Sequence, residues 1–196
     1  MSRKVEKLGL RQAEVYFYPS LFSPVESDTL LKDLTANIAW EQKSVHIMGK
    51  QVPQPRLIAW YGDEGKTYRY SGLTVEPLAW TPTLLSIKER VETVTPVRFN
   101  SVLLNLYRDG NDSVGWHSDD EPELGTNPVI ASVTFGAERT FQLKHKTDPD
   151  LKASIELTHG SLLLMAGATQ HHWKHQIPKT KKVLGPRINL TFRVIY

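Results

Sequence analysis

The chain has 196 residues, 40% of them hydrophobic and 23% charged, the composition of one folded domain, which excludes disorder, collagen and a small disulfide scaffold. It has no cysteine, so thiolate nucleophiles, disulfides, iron–sulfur clusters and Cys-ligated zinc are excluded. The net charge of +3 is uneven: residues 141–196 hold 9 Lys/Arg against 3 Asp/Glu, and this basic third suits an anionic partner such as nucleic acid.

The first residues, MSRKVEKLGLRQAEVYFYP, are charged and lack an apolar h-region. No secretion signal, no membrane span and a cytoplasmic or nuclear location are therefore expected. Ser23-Pro24 opens a helix with Glu26 and Asp28 in its first turn, where the dipole favours them. Leu30, Leu31, Leu34 and Ile38 follow at helical spacing. Thr81-Pro82 repeats the grammar, with Leu84, Leu85, Ile87 and Val91. Between the two helices, Gly49, Pro53, Pro55, Gly62, Gly65 and Gly72 predict hairpins and loops. After Thr95 come the short alternating runs RFNSVLLNLY, PVIASVTFG, RTFQLKH, SIELT, GSLLLMAG and PRINLTFRVIY. Many short strands separated by turns predict a sandwich or barrel, so the chain reads as mainly β with an α elaboration.

His117 and Asp119 point to one face of an extended segment and can share a metal. The cluster His171-His172-Trp173-Lys174-His175 offers a third ligand. Two His and one carboxylate form the facial triad of non-haem Fe(II) oxygenases. H-x-D alone is a weak signal, and a hydrogen-bonded surface or core pair is its commoner meaning. The last strand strengthens it: Arg187, Asn189, Thr191 and Arg193 fall on one face, with Ile188, Leu190, Phe192 and Val194 on the other. A buried arginine needs an anion, and the guanidinium fork suits a carboxylate. Asn105 and Tyr107 likewise share a face opposite Leu104 and Leu106. Trp60, Trp116 and Trp173 are expected as packing residues.

The order N-x-Y, H-x-D-D-E, a distant His and R-x-N-x-T-x-R resembles the AlkB family of Fe(II)/2-oxoglutarate-dependent nucleic-acid demethylases, from about Tyr16 to the last residue. The blocks SVLLNLYRDGNDSVGWHSDDEPEL, IASVTFGAERTFQLKHK and KKVLGPRINLTFR carry the resemblance, and TYRYSG is similar to the lid of its duplex-DNA repair subfamily. The resemblance implies a double-stranded β-helix (jelly-roll) core at 96–196 and N-terminal helices with an α/β nucleotide-recognition lid at 1–95, in one integrated domain. It implies His117, Asp119 and His175 as iron ligands, and His175 because a short run and Pro178 follow it. Arg187 resembles the arginine that holds the far carboxylate of 2-oxoglutarate. Asn105, Tyr107, Asn189, Thr191 and Arg193 resemble the rest of that pocket, with Arg193 alternatively neutralising Asp120.

Asp120 and Glu121 resemble acidic residues that recognise the damaged base, and Tyr68, Tyr70 and Ser71 belong to the lid around it. The tip Ile47-Met48-Gly49 resembles a finger that fills the gap left by a flipped base; inward packing is its bland alternative. The implied activity is oxidative demethylation of 1-methyladenine- or 3-methylcytosine-type bases, with Fe(II), 2-oxoglutarate and O2. Formaldehyde, succinate and CO2 are the products. The implied partner is alkylated DNA, single- or double-stranded, with RNA as a further substrate, for a monomer away from membranes. The competing readings are the same iron chemistry on RNA, a small molecule or protein, and a non-catalytic nucleic-acid-binding β-barrel.

Overall fold

The computed structural model describes residues 5–47, 49–66, 68–70 and 73–196, and of 45–47, 68–70 and 73–75 only the backbone. The N-terminal half contributes β1 (Glu6–Leu8), β2 (Glu14–Tyr18), α1 (Pro24–Asn37), β3 (Ser44–Ile47), β4 (Lys50–Pro53), β5 (Leu57–Gly62), β6 (Tyr68–Tyr70), β7 (Leu73–Val75) and α2 (Pro82–Glu92). Then follow β8 (Ser101–Tyr107), β9 (Val114–His117), β10 (Ile130–Gly136), β11 (Arg139–His145), β12 (Lys152–Leu157), β13 (Ser161–Ala166), α3 (Thr169–His172), β14 (Trp173–Ile177) and β15 (Arg187–Arg193).

Both long helices start where the sequence says. The Ser23 hydroxyl accepts from the Glu26 amide and the Glu26 carboxylate accepts from the Ser23 amide, a reciprocal capping box. Thr81 caps α2 through the Leu84 amide. α1 stops at Asn37, because Ile38 is already extended.

Two antiparallel sheets form the body. The larger runs β1-β2-β13-β10-β15-β8-β5 and the smaller β12-β11-β14-β9. Three strands from the first 95 residues thus pair into the same sheet as the core strands. The large sheet has two different faces. On one, Leu104, Val133, Ile188, Leu190 and Phe192 pack with Leu34, Leu84, Ile87 and Val91 of the helices. On the other, Tyr107, Ile130, Leu163 and Met165 meet Phe141, Leu143, Trp173 and Ile177 across the gap to the small sheet. Burying each such large apolar side chain contributes about 1.5–3 kcal/mol. The polar alternates of β8, β10 and β15 are left facing the same gap. Gly136 makes the turn from β10 to β11 at φ +92°, where a Cβ would lie 2.3 Å from the Pro186 carbonyl oxygen. Only glycine permits that approach, which brings the chain tightly into Arg187.

Candidate active site

β9 and β14 pair with His117 directly opposite His175, both facing the gap between the sheets. Their rings are 4.3 Å apart, and His175 Nε2 is 3.9 Å from Asp119 Oδ2. One ligand atom from each of His117, Asp119 and His175 lies within 4.8 Å of the others, the only such group among the described residues. His171 and His172 stand outside it: His171 is exposed and His172 stacks over His145 at 5.8 Å. The Gly115 carbonyl lies 2.8 Å from His117 Nδ1; a proton held there leaves the Nε2 lone pair for a metal.

Burial alone would raise the Asp119 carboxyl, but Arg193, His175 and His117 together hold it below the usual carboxylate range. Arg193 Nη2 donates to Asp119 Oδ1, so this arginine serves Asp119 and not Asp120. Burial, with His117 adding to it and Asp119 opposing, pushes the His175 imidazole down to about 3. It is neutral at physiological pH, the form that ligates metal. Two imidazoles and a carboxylate with no sulfur fit Fe(II).

Behind the triad lies a narrow cavity of about 70 Å³, lined by Asn105, Tyr107, Asn189, Thr191 and Arg193 among others. Asn189 sits opposite Asn105, and Arg187 opposite Tyr107. Arg187 is 1% exposed and adjoins two residues of this lining: its guanidinium carbon is 5.1 Å from the Tyr107 ring centre and it bonds Asn189. Its Nη2 donates to Thr134 Oγ1 and Asn189 Oδ1, both at 2.9 Å. Its Nε and Nη1 have no hydrogen-bond partner among the described residues. Burial pushes its pKa down to about 10. A guanidinium left half-satisfied at such depth fits a co-substrate carboxylate.

A wider cavity of about 390 Å³ opens above the triad, between Lys43, Arg56, Ile58, Trp60, Leu103, Glu121 and Ile195. Glu121 thus lines the outer cavity. Asp120 lines neither cavity; its carboxylate pairs with Lys146 at 2.9 Å. Trp173 is buried as expected, but Trp60 lines the outer cavity and Trp116 is 37% exposed. Tyr68 and Tyr70 lie in β6 and Ile47 in β3, with side chains outside the description. Gly49 turns between β3 and β4 at φ +77°. Ser71 and Met48 fall outside the described residues.

Sequence reasoning missed three residues. Arg56 lines both cavities and donates to Asn105 Oδ1 at 2.7 Å. Gln170, buried at the crossover from β13 to β14, accepts the Asp119 amide at 3.0 Å. Ser132 donates to Asn189 Oδ1 at 2.8 Å. Only Ser132 had a signal, its place on the polar alternation of β10.

The family model of the 2OG-Fe(II) oxygenase superfamily matches residues 14–193. The chain is 45% identical over 193 residues to the mouse "Alpha-ketoglutarate-dependent dioxygenase alkB homolog 3", covering 94% of this chain and 67% of the relative. It is 44% identical over 188 residues to the Bos taurus "DNA oxidative demethylase ALKBH2", covering 91% and 68%. The solved structure of OsALKBH1 superposes with a TM-score of 0.68 at 17% identity, over 96% of this chain and 100% of that one, and so shares the fold. The two facing sheets are a jelly-roll, and the chain belongs to the 2OG-Fe(II) oxygenase superfamily, as a member of its AlkB family, whose reaction uses Fe(II), 2-oxoglutarate and O2.

Proposed function

We propose that this chain removes alkyl groups from DNA bases by Fe(II)- and 2-oxoglutarate-dependent oxidation. The observation that carries the reading is the meeting of His117, Asp119 and His175 beneath a cavity of ligand size. The 44% identity to a protein named DNA oxidative demethylase supports the choice of substrate.

In this reading His117, Asp119 and His175 would hold the iron. Iron bound there with 2-oxoglutarate and O2 supplies the oxidation of an unactivated N-alkyl carbon; a hydroxylated methyl group then leaves as formaldehyde, and 2-oxoglutarate ends as succinate and CO2. The chain's own residues bind and orient. Arg187 offers Nε and Nη1 to the far carboxylate, while Asn105, Tyr107, Asn189 and Thr191 wall the channel. Arg193 keeps Asp119 ionised and oriented. Glu121 favours a cationic base such as 1-methyladenine or 3-methylcytosine.

A methylated Watson–Crick edge reaches this depth only when the base is flipped. In this reading a lid within residues 1–95, to which the resemblance assigns Tyr68, Tyr70, Ser71, Ile47, Met48 and Gly49, would recognise the flipped base; residues 96–196 form the catalytic core of the same domain. The protein acts as a monomer in the cytoplasm or nucleus, on single- or double-stranded DNA and also on RNA. No helix among the described residues is long and apolar enough to cross a membrane.

The test is formaldehyde release and mass loss from oligonucleotides carrying one 1-methyladenine, with iron, 2-oxoglutarate and air. Wild-type protein should demethylate them, and Asp119→Ala should lose both turnover and tight binding of Mn²⁺ used as an iron surrogate. Succinate formed without loss of the methyl group from DNA or RNA would overturn the substrate.

A further inference from the structure

The outer face of the small sheet carries a feature that the site does not use. Lys144 of β11 stands in direct register with Lys152 of β12 on one side and Lys174 of β14 on the other. Three lysines therefore form one row across three strands, each strand about 4.8 Å from the next in the hydrogen-bonding direction. Like charges placed directly opposite destabilise a sheet, so pairing energy gives no reason for the row. None of the three makes an ion pair among the described residues. The Lys144 ammonium is held 4.3 Å from the ring centre of Trp116, itself outward-facing on the edge strand β9. Such a contact orders a long side chain while leaving its charge in place.

The row backs directly onto the site. Phe141, Leu143 and His175 alternate with it on the inner faces of β11 and β14. Two residues beyond Lys144, Lys146 pairs with Asp120, the sequence neighbour of Glu121 on the rim of the outer cavity. We propose that Lys152, Lys144 and Lys174 form a track for the phosphodiester backbone flanking the base held in that cavity. This rests on the nucleic-acid reading above. A row of uncompensated cations on the outer face of the sheet that carries His117 and His175 lowers the free energy of a polyanion without reading its sequence, through release of condensed counterions.

The experiment measures fluorescence anisotropy of a labelled, unmodified 15-nucleotide oligothymidylate against NaCl concentration. Each lysine–phosphate contact on a single strand contributes about 0.7 to the slope of log K against log salt. Lys152→Gln with Lys174→Gln should lower the slope by about 1.4, with an unchanged or slightly higher melting temperature because mutual repulsion is relieved. Lys7→Gln with Lys32→Gln, exposed residues of β1 and α1, serves as the charge-matched control and should change the slope far less. An unchanged slope in the first variant, or equal changes in both, would overturn the track. Failure of the demethylation reading is separate: it would appear as no formaldehyde from wild-type protein, whatever the slopes.

Discussion

Replacing Arg187 by Met separates what the guanidinium costs the empty protein from what it does for the co-substrate. Two of its three nitrogens have no hydrogen-bond partner among the described residues at 1% exposure, and an unsatisfied buried donor costs about 1–3 kcal/mol. The fall of its pKa from 12.5 to about 10 reflects the same penalty, roughly 3 kcal/mol against the charged form. Met removes that penalty and forfeits the bonds to Thr134 and Asn189, each contributing about 1 kcal/mol. The metal-free, ligand-free variant should therefore be as stable as wild type or slightly more so, by urea titration. Binding should move the other way. Losing one partner of a buried carboxylate–guanidinium pair costs about 3–5 kcal/mol, a factor of about 10²–10⁴ in Kd. Calorimetric titration of 2-oxoglutarate into Mn²⁺-loaded protein without O2 should show this loss. Arg187→Lys should not rescue it, because an ammonium lacks the planar fork. Affinity retained within tenfold in the Met variant, or a ligand-free protein destabilised by several kcal/mol, would refute the reasoning.

Gln170→Leu should strand the buried Asp119 amide, lowering stability by about 1–3 kcal/mol and weakening Co²⁺ binding about 10–100-fold by absorption titration. Glu121→Gln should lower kcat/KM on cationic methylated bases more than Asp120→Asn, since only Glu121 lines the outer cavity; equal losses would return Asp120 to base recognition. Acid should destabilise the metal-free protein. The folded His175 pKa of about 3 lies below the ordinary 6.5, so the unfolded chain takes up the proton first; its contribution is complete above pH 6.5 and lost as pH falls toward 3. Asp119, also held low, acts in the same direction below the carboxylate range. The urea midpoint should drop between pH 7 and 4.5, and His175→Gln should flatten that drop; an identical slope in the variant would contradict it.

What the sequence made legible follows from alternation. β15 borders two environments, so its period-2 pattern encoded both the helix-covered face of Ile188, Leu190 and Phe192 and the site face of Arg187, Asn189 and Thr191. The same rule accounts for the placements of Asp120 and Trp116. Consecutive residues turn to opposite sides, so an inward Asp119 sends Asp120 outward to Lys146. Trp116 precedes the inward His117 on an edge strand and so faces solvent. Arg56 and Gln170 were out of reach because their roles depend on loops and crossovers packing against residues about 50 positions away, Asn105 and Asp119, and no local period records that.

Burial alone would not have singled out Arg187. Arg139 is just as deep, at 3% exposure, and its guanidinium flanks the same Tyr107 ring at 5.6 Å against 5.1 Å for Arg187. Arg139 comes from β11, and both its terminal nitrogens are engaged, Nη1 by the carbonyl of Asp109 and Nη2 by those of Asp112 and Pro178. It therefore ties two loops to the small sheet and has little capacity left for an anion. Arg187, on the facing sheet, keeps two nitrogens unmatched among the described residues, while a run of side-chain oxygens and amides leads from it through Asn189 and Thr191 toward the triad. The difference lies in hydrogen-bond accounting rather than charge or depth. A buried cation whose terminal nitrogens bridge two loops has a structural reason to exist; one whose nitrogens stay unmatched gains that reason when its ligand is bound.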